Sequence, residues 1–527
     1  MPRPKPPVPP RAPILVVVLA CLLVALTAAC TNSSGQGDVD VRIGSSEPLT
    51  WDPARSGDAG TASVHAQVYE GLTAFDSDSN VQPALASSWE ADESGRRITF
   101  ELRPGATYSD GTPVAAQDVV ESWLRLIDPA SPSPLASLLD DVVGAADYRG
   151  GAVGRDAVGL AADGNRVVVE LRRPATYFLA VTASPTLAVV APSTFDDLAS
   201  GPPAVVSGAY VPTVAAPGTI RLSGNSRYWA GMPALDQIEL LTDFGGTSGV
   251  QMFTEGRVDY TGVGVGDATW LEWDQTLGPQ LRQTDSFTVS YYGFNTTVAP
   301  FDDATVRLAF AKAVDWQRMT TLAEDVPATS MIPPGIPGHD GLDHRPEYDP
   351  EEARALLEQA GFPGGEGFPV ITLATYGVGY EDTVRQELEQ NLGIDVNVEA
   401  LDFEPYLEIV ADNTTPTMWT LSWVADYPHA HDFLGLLLET GSASNTGQWS
   451  NADYDSLIEQ AAATDDPEEQ AAIYSRAQDI LTAEAPVIPL SYGGSFALSR
   501  EGLMGALSAG VGFIRYASLE WTEGSGS

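Results

Sequence analysis

The sequence predicts a mixed α/β fold, β-rich over residues 70–200 and built of βα units in its C-terminal half. Three observations point there. Two period-two apolar runs, each ended by proline, lie within 70–200, where long helical patterns are few. The helix-opening run Asp-Pro-Glu-Glu occurs twice beyond residue 340, with a period-two run between the two copies. No fixed-period repeat interrupts this alternation of strands and helices.

In chain order, the first element is a leader. Arg3, Lys5 and Arg11 precede the apolar run Ile14–Leu26, and the small residues Thr27, Ala28 and Ala29 lead to Cys30. That order is a secretory signal, and a cysteine at its exit resembles a bacterial lipoprotein signal in which the thiol is lipidated. A transmembrane helix, or an ordinary signal with an incidental cysteine, is the alternative. The run is shorter than the roughly 20 residues a spanning helix needs, and Thr31 to Asp38 is polar with no basic stop.

Beyond the leader, Ile98, Phe100 and Leu102 alternate as a half-buried strand that ends at Pro104-Gly105. Asp110-Gly111 with Pro113 reads as a tight turn before the helix that Asp118 and Val119 enter. Val167 to Leu171 forms a second strand ending at Pro174. Trp89 and Phe100 read as core aromatics. Residues 288–294 read as a strand, after which Asn295 turns the backbone. Val306, Ala309, Phe310, Ala313 and Val314 share one face, predicting a single buried helix over 303–319. Asp349 and Asp466 each cap a helix with proline at the first position and acids at its positive end. Between them, 394–400 alternates as a strand.

Composition narrows the function. The chain has 527 residues with 71 acidic and 27 basic side chains, a net charge of −44, so it is repelled by nucleic acid and anionic lipid. Only Cys21 and Cys30 are cysteines. Once the leader is removed and Cys30 acylated, no thiol remains for a disulfide, a nucleophile or a metal site. Five histidines, and no zinc-protease, nucleophile-elbow, Walker or dinucleotide motif, favour a binding protein over an enzyme with a cofactor.

Four groups of residues carry a resemblance. They are Leu49-Thr-Trp-Asp-Pro53 with Val68-Tyr-Glu-Gly-Leu72; Pro83 to Glu90 with Ile98 to Gly105 and Tyr108 to Val114; Tyr292-Gly-Phe-Asn-Thr-Thr297 with Phe301-Asp-Asp303 and Ala313-Val-Asp315; and Trp423-Val-Ala-Asp-Tyr-Pro428 with Asp432-Phe-Leu434, Tyr454 and Ala485 to Leu490. In this order they resemble the extracellular solute-binding proteins of family 5, which serve peptide, oligopeptide and nickel ABC importers.

The resemblance implies a periplasmic-binding-protein type II-like fold of two hinged α/β lobes with mixed sheets plus an extra β-rich domain. The implied layout is a signal peptide over 1–29, a lipid-anchored tether over 30–37, lobe I over 38–69, 201–292 and 488–527, the extra domain over 70–200, and lobe II over 293–487. It further implies a non-enzymatic monomer, lipid-anchored to the outer face of the cytoplasmic membrane. Such a protein captures short peptides and delivers them to membrane permease subunits. Asp426 would pair with the peptide's amino group, or be a solvated turn aspartate. Ser422, Trp423 and Val424, beside Tyr427, would pair with the peptide backbone, faced by Gly57, Asp58 and Ala59. Where the family usually continues with acids or amides, this chain has His429-Ala430-His431. The two histidines read as exposed loop residues or, alternatively, as holders of a metal chelate, which keeps nickel or another small solute as the second reading. An exported hydrolase and a purely structural envelope lipoprotein are the remaining alternatives.

Overall fold

In the computed structural model of the chain, residues 39–377, 379–411, 414–415, 417–505, 510–511 and 514–522 are described. The leader, Cys30 and the tether lie outside the described residues.

β1 (Val41–Gly44) and α1 (Ala59–Val68) open the chain. A four-stranded antiparallel sheet follows, made of β2 (Ala86–Ala91), β3 (Arg97–Leu102), β4 (Leu160–Asp163) and β5 (Arg166–Glu170) in the order β2-β3-β5-β4. Ile98, Phe100 and Leu102 alternate inward, as do Val167 and Val169. Their buried face is covered by α2 (Ala116–Leu126), whose Trp123 is fully buried. Gly111 takes a positive φ of 92° in the turn before that helix, a conformation that favours glycine. The sequence predicts a β-rich 70–200, but strands and helices share these residues about equally, the helices covering the sheet.

Apart from two short two-stranded sheets, Thr73–Phe75 with Val81–Pro83 and Leu503–Met504 with Glu520–Trp521, the main remaining strands join β1 in one mixed sheet. They are β6 (Tyr210–Ala216), β7 (Thr219–Gly224), β8 (Gln237–Leu241), β9 (Tyr260–Val263), β10 (Leu281–Phe294), β11 (Ile371–Thr375), β12 (Val396–Ala400), β13 (Thr417–Val424) and β14 (Val487–Ser499). Their order is β12-β11-β13-β10-β14-β9-β1-β8-β7-β6. β1 runs parallel to β8 and β9, and β11 parallel to β12 and β13, whereas β10 and β14 are antiparallel to each other. These two long strands span the sheet's middle. Their pairing shifts register between Asp285 and Val289 and again at Ser290. Each shift bends and twists a strand locally without ending it.

The predicted helix over 303–319 is two helices. α3 (Ala304–Ala313) buries Val306, Ala309, Phe310 and Ala313 as expected. Val314 is then extended, and Asp315 accepts from the Arg318 backbone N–H at 3.0 Å to cap a second helix, Trp316–Leu322. A capping aspartate inside an apolar periodicity starts a new helix, and the apolar spacing hid it. Both Asp-Pro-Glu-Glu signals do open helices. Asp349 caps α4 (Pro350–Gln359) and Asp466 caps a helix over Pro467–Glu484, each carboxylate accepting two backbone N–H groups.

Candidate functional site

The site grows from the end of β13. Tyr406 donates its hydroxyl to the Thr420 carbonyl and accepts from the Thr420 N–H, on the side facing away from β10. On the opposite side, the Ala425 N–H reaches the Phe287 carbonyl of β10 at 2.8 Å. Backbone direction alternates along a strand, so the N–H and C=O groups of Ser422 and Val424 point away from β10. β11 pairs with β13 only as far as Trp419. Beyond it, Ser422 and Val424 form an exposed strand edge, with Val424 40% exposed.

At the end of that edge the chain turns into α5 (Ala430–Leu438). Asp432, in its first turn, closes the turn: one carboxylate oxygen accepts from Trp423 Nε1 at 2.8 Å and from the Asp426 N–H at 3.2 Å. Asp432 is wholly buried. Its other oxygen, Oδ1, and Oδ2 of the neighbouring Asp426 are buried with no hydrogen-bond partner among the described residues. Burial pushes the Asp426 carboxyl up to about 7. Burial and then the adjacent Asp426 charge hold Asp432 well above the usual carboxylate range. Water-starved carboxylates with no counter-charge among the described residues resist ionisation. Asp426 is half-buried with one orphaned oxygen, not a solvated turn residue.

Tyr427 is buried beside the pair, its hydroxyl 2.9 Å from His431 Nδ1. The expectation of exposed loop histidines is overturned. His431 is 5% exposed, stacked on Tyr177 with centroids 3.6 Å apart. His429 is the N-cap of α5, its Nδ1 accepting from the His431 N–H at 3.1 Å. The apolar helix that follows pulls the His431 ring into the core, while His429 sits half-buried at its start. Burial lowers His429 to about 4 and His431 well below the ordinary value, so both are neutral. The ring nitrogens of His431 face Tyr427 and Arg173, leaving it ill placed to ligate a metal.

Beyond His431, Arg173 is buried between Asp141, at 2.8 Å, and Glu439, at 2.5 Å. The Tyr177 hydroxyl also donates to Asp141. Burial alone would raise Asp141, but Arg173 and its neighbours hold that carboxyl below the usual range. A cavity of about 420 Å³ lies against this network. A second, of about 600 Å³, is lined by Phe75, Tyr228, Trp229 and Arg515, and neither touches Trp423 or Asp426.

The other predicted segment is fixed by different means. Asp52 forms a fork with Arg125 and accepts from the Ala54 N–H, setting the Asp-Pro turn that leads to Gly57. Asp58 caps α1, accepting from the Thr61 N–H at 2.8 Å. Gly57 and Ala59 are exposed, and Gly57 packs so closely on Pro134 that a Cβ would lie 2.8 Å from it. The structure thus gathers Ser422, Trp423, Val424, Asp426 and Tyr427 at one turn, while no hydrogen bond joins them to 57–59 among the described residues. Sequence reasoning placed Asp432 in a motif but assigned it no role. The missed signal is an acid opening an otherwise wholly apolar run, Phe433 to Leu438.

Residues 80–445 match the profile of the bacterial extracellular solute-binding proteins, family 5 middle. The chain belongs to this family. It is 31% identical over 467 residues to a probable deoxycholate-binding periplasmic protein of Escherichia coli (strain K12), covering 85% of this chain and 86% of that protein. An oligopeptide-binding protein of Bacillus subtilis (strain 168) is 25% identical over 541 residues, covering 95% of this chain and 98% of that one. The solved murein tripeptide binding protein of Escherichia coli superposes with a TM-score of 0.74 at 25% identity, covering 91% and 98% of the two chains. The fold of this family-5 protein is therefore the expected periplasmic-binding type with mixed sheets, and the protein is a binding protein, not an enzyme.

Proposed function

We propose that this family-5 protein captures short peptides at the free edge of β13 and hands them to ABC permease subunits in the membrane. One observation carries the reading: an exposed strand edge at Ser422 and Val424 ends at a carboxylate, Asp426, whose buried oxygen has no partner among the described residues. An extended peptide adds to such an edge through its backbone. Its α-ammonium then meets Asp426 in a charge-assisted hydrogen bond that a blocked amine cannot make. Gly57, Asp58 and Ala59 supply the facing segment. The lobes we propose are 38–69 with 201–292 and 488–527, and 293–487, with 70–200 as the extra domain. They close by bending where β10 and β14 shift register. Cys30 carries the lipid, and the 30–37 tether keeps a monomer beside the permease on the outer face of the cytoplasmic membrane. Two lipid chains make such an anchor lasting.

A second reading takes its cue from the deoxycholate-binding relative. Deoxycholate is an anion, and two buried carboxyls without a cation disfavour its carboxylate at this turn. A nickel chelate on His429 and His431 has less support still, since His431 is buried, His429 is half-buried and both rings are engaged.

Thermal denaturation with trialanine, N-acetyl-trialanine and sodium deoxycholate separates these readings. A ligand at 100 times its Kd stabilises by about 2.7 kcal/mol. Stabilisation by trialanine alone is expected. Equal stabilisation by the acetylated peptide would sink the amine anchor, and stabilisation by deoxycholate alone would replace the peptide reading.

A further inference from the structure

We infer that Asp432 is the second carboxyl of the amine site: it shares one proton with Asp426 in the ligand-free protein, and the pair gives that proton up when a ligand ammonium arrives. The inference deepens the peptide reading and rests on it for the identity of the ligand, but not for the shared proton.

The geometry is that of a cation receptor. Asp432 Oδ2 is fixed by Trp423 Nε1 and by the backbone N–H of Asp426, which holds Asp432 beside the residue that carries the other carboxyl. One oxygen of each is buried and unpartnered among the described residues. Among the described residues, the groups around the pair supply no full positive charge. Asp426 and Tyr427 face Asp432 from the turn, and the Trp423 indole faces it from β13. On α5, His429 and His431 are held neutral by burial. From the 70–200 region, Tyr177, Asp141 and Arg173 lie beyond Tyr427 and bond among themselves and to Glu439. From the helix over 467–484, Tyr474 packs against His429. The first turn of α5 adds only the partial charge of a helix N-terminus.

Two adjacent carboxyls in such a place cannot both ionise, so the pair titrates as a unit and keeps one proton. An ammonium supplies the missing cation. The balance is simple: R–NH3+ enters, one H+ leaves to solvent, and the site's total charge is unchanged. Asp426 alone would select an amine, whereas the pair makes that selection compete with protons. Asp432 is fully buried, so its part is to position Asp426 and hold the proton.

The test has a ligand-free arm and a ligand arm. In the ligand-free protein with 13C-labelled aspartate carboxyls, one resonance should remain protonated at pH 6, and in Asp432→Asn the Asp426 carboxyl should titrate at lower pH because the neighbouring charge is gone. Circular dichroism confirms that this near-isosteric variant is folded. Calorimetry with trialanine in two buffers of different ionisation enthalpy should show about one proton released per peptide at pH 6 and almost none at pH 8.5. Wild-type affinity should fall about tenfold per pH unit on acidification below the titration point. In Asp432→Asn the proton release at pH 6 should shrink and the pH dependence of binding should move to lower pH. Carboxyls that are both ionised at pH 6, or an Asp426 titration and a proton release unmoved in Asp432→Asn, would overturn the inference. If the shared proton is present but trialanine does not bind at any pH, the peptide reading and the exchange fall together, while the shared proton stands.

Discussion

Two buried acid clusters flank the turn that begins α5, and they are built on opposite plans. Around Asp141 and Glu439, each carboxylate meets Arg173, and Asp141 meets Arg172 and the Tyr177 hydroxyl as well. Around Asp426 and Asp432, an indole and one backbone N–H are the only donors among the described residues, and two oxygens lack partners. The first cluster has internal counter-charge and ties the 70–200 region to the 430s. The second lacks it, and a ligand can supply what is missing.

The sharpest way to break this contrast is Arg173→Met. Removing one member of a buried charged network leaves Asp141 and Glu439 unpaired and should cost about 3–5 kcal/mol, read by urea denaturation. A loss below about 1 kcal/mol would show that the network is dispensable. Next in size, Asp426→Asn should weaken trialanine binding by about 2 kcal/mol or more, roughly thirtyfold, by calorimetry, while ligand-free stability does not fall.

A smaller effect concerns pH. Burial raises the Asp426 and Asp432 carboxyls in the folded state, so between about pH 4 and 7 the folded state binds more protons than the unfolded chain. Their contribution to stability therefore falls as pH rises through that window. Asp432→Asn should raise the melting temperature at pH 8 by about 2–4 °C and leave it nearly unchanged at pH 4.5. Smallest is the opposite slope from His429. Its depressed value, about 4, means that the unfolded chain takes up the proton first, so its contribution is present above pH 6.5 and is lost as pH falls toward 4. In His429→Asn, asparagine can still cap α5, and the variant should lose less stability between pH 6.5 and 4.5 than the wild type. An equal loss would put the acid sensitivity elsewhere.

The same contrast measures what sequence can disclose. Local signals were legible: the carboxylates of Asp349 and Asp466 cap their helices, and Ile98, Phe100 and Leu102 face inward, because each depends on neighbours a few residues away. Trp423, Asp426 and Tyr427 were legible through their shared motif. Less visible was anything decided by distant packing. The burial of His429 and His431 depends on Tyr177 and Arg173, more than 250 positions earlier in the chain. Asp432 acquires its character from Asp426 and from the absence of a nearby cation, and no local pattern records an absence. The break at Val314 shows the reverse case, a short-range cap overruling a longer apolar rhythm.

The free edge at Ser422 and Val424 has a cost outside recognition. Exposed strand edges invite copies of a chain to pair with one another, the first step toward aggregation. Here the edge is two residues long in its free direction and ends against acids, on a molecule carrying 71 acidic and 27 basic side chains. Like-charged copies repel before their edges can meet, whereas a small zwitterion feels little of that field. The acidity that looks like mere surface character thereby keeps the edge unpaired, and high salt is the condition under which these molecules should begin to stick together.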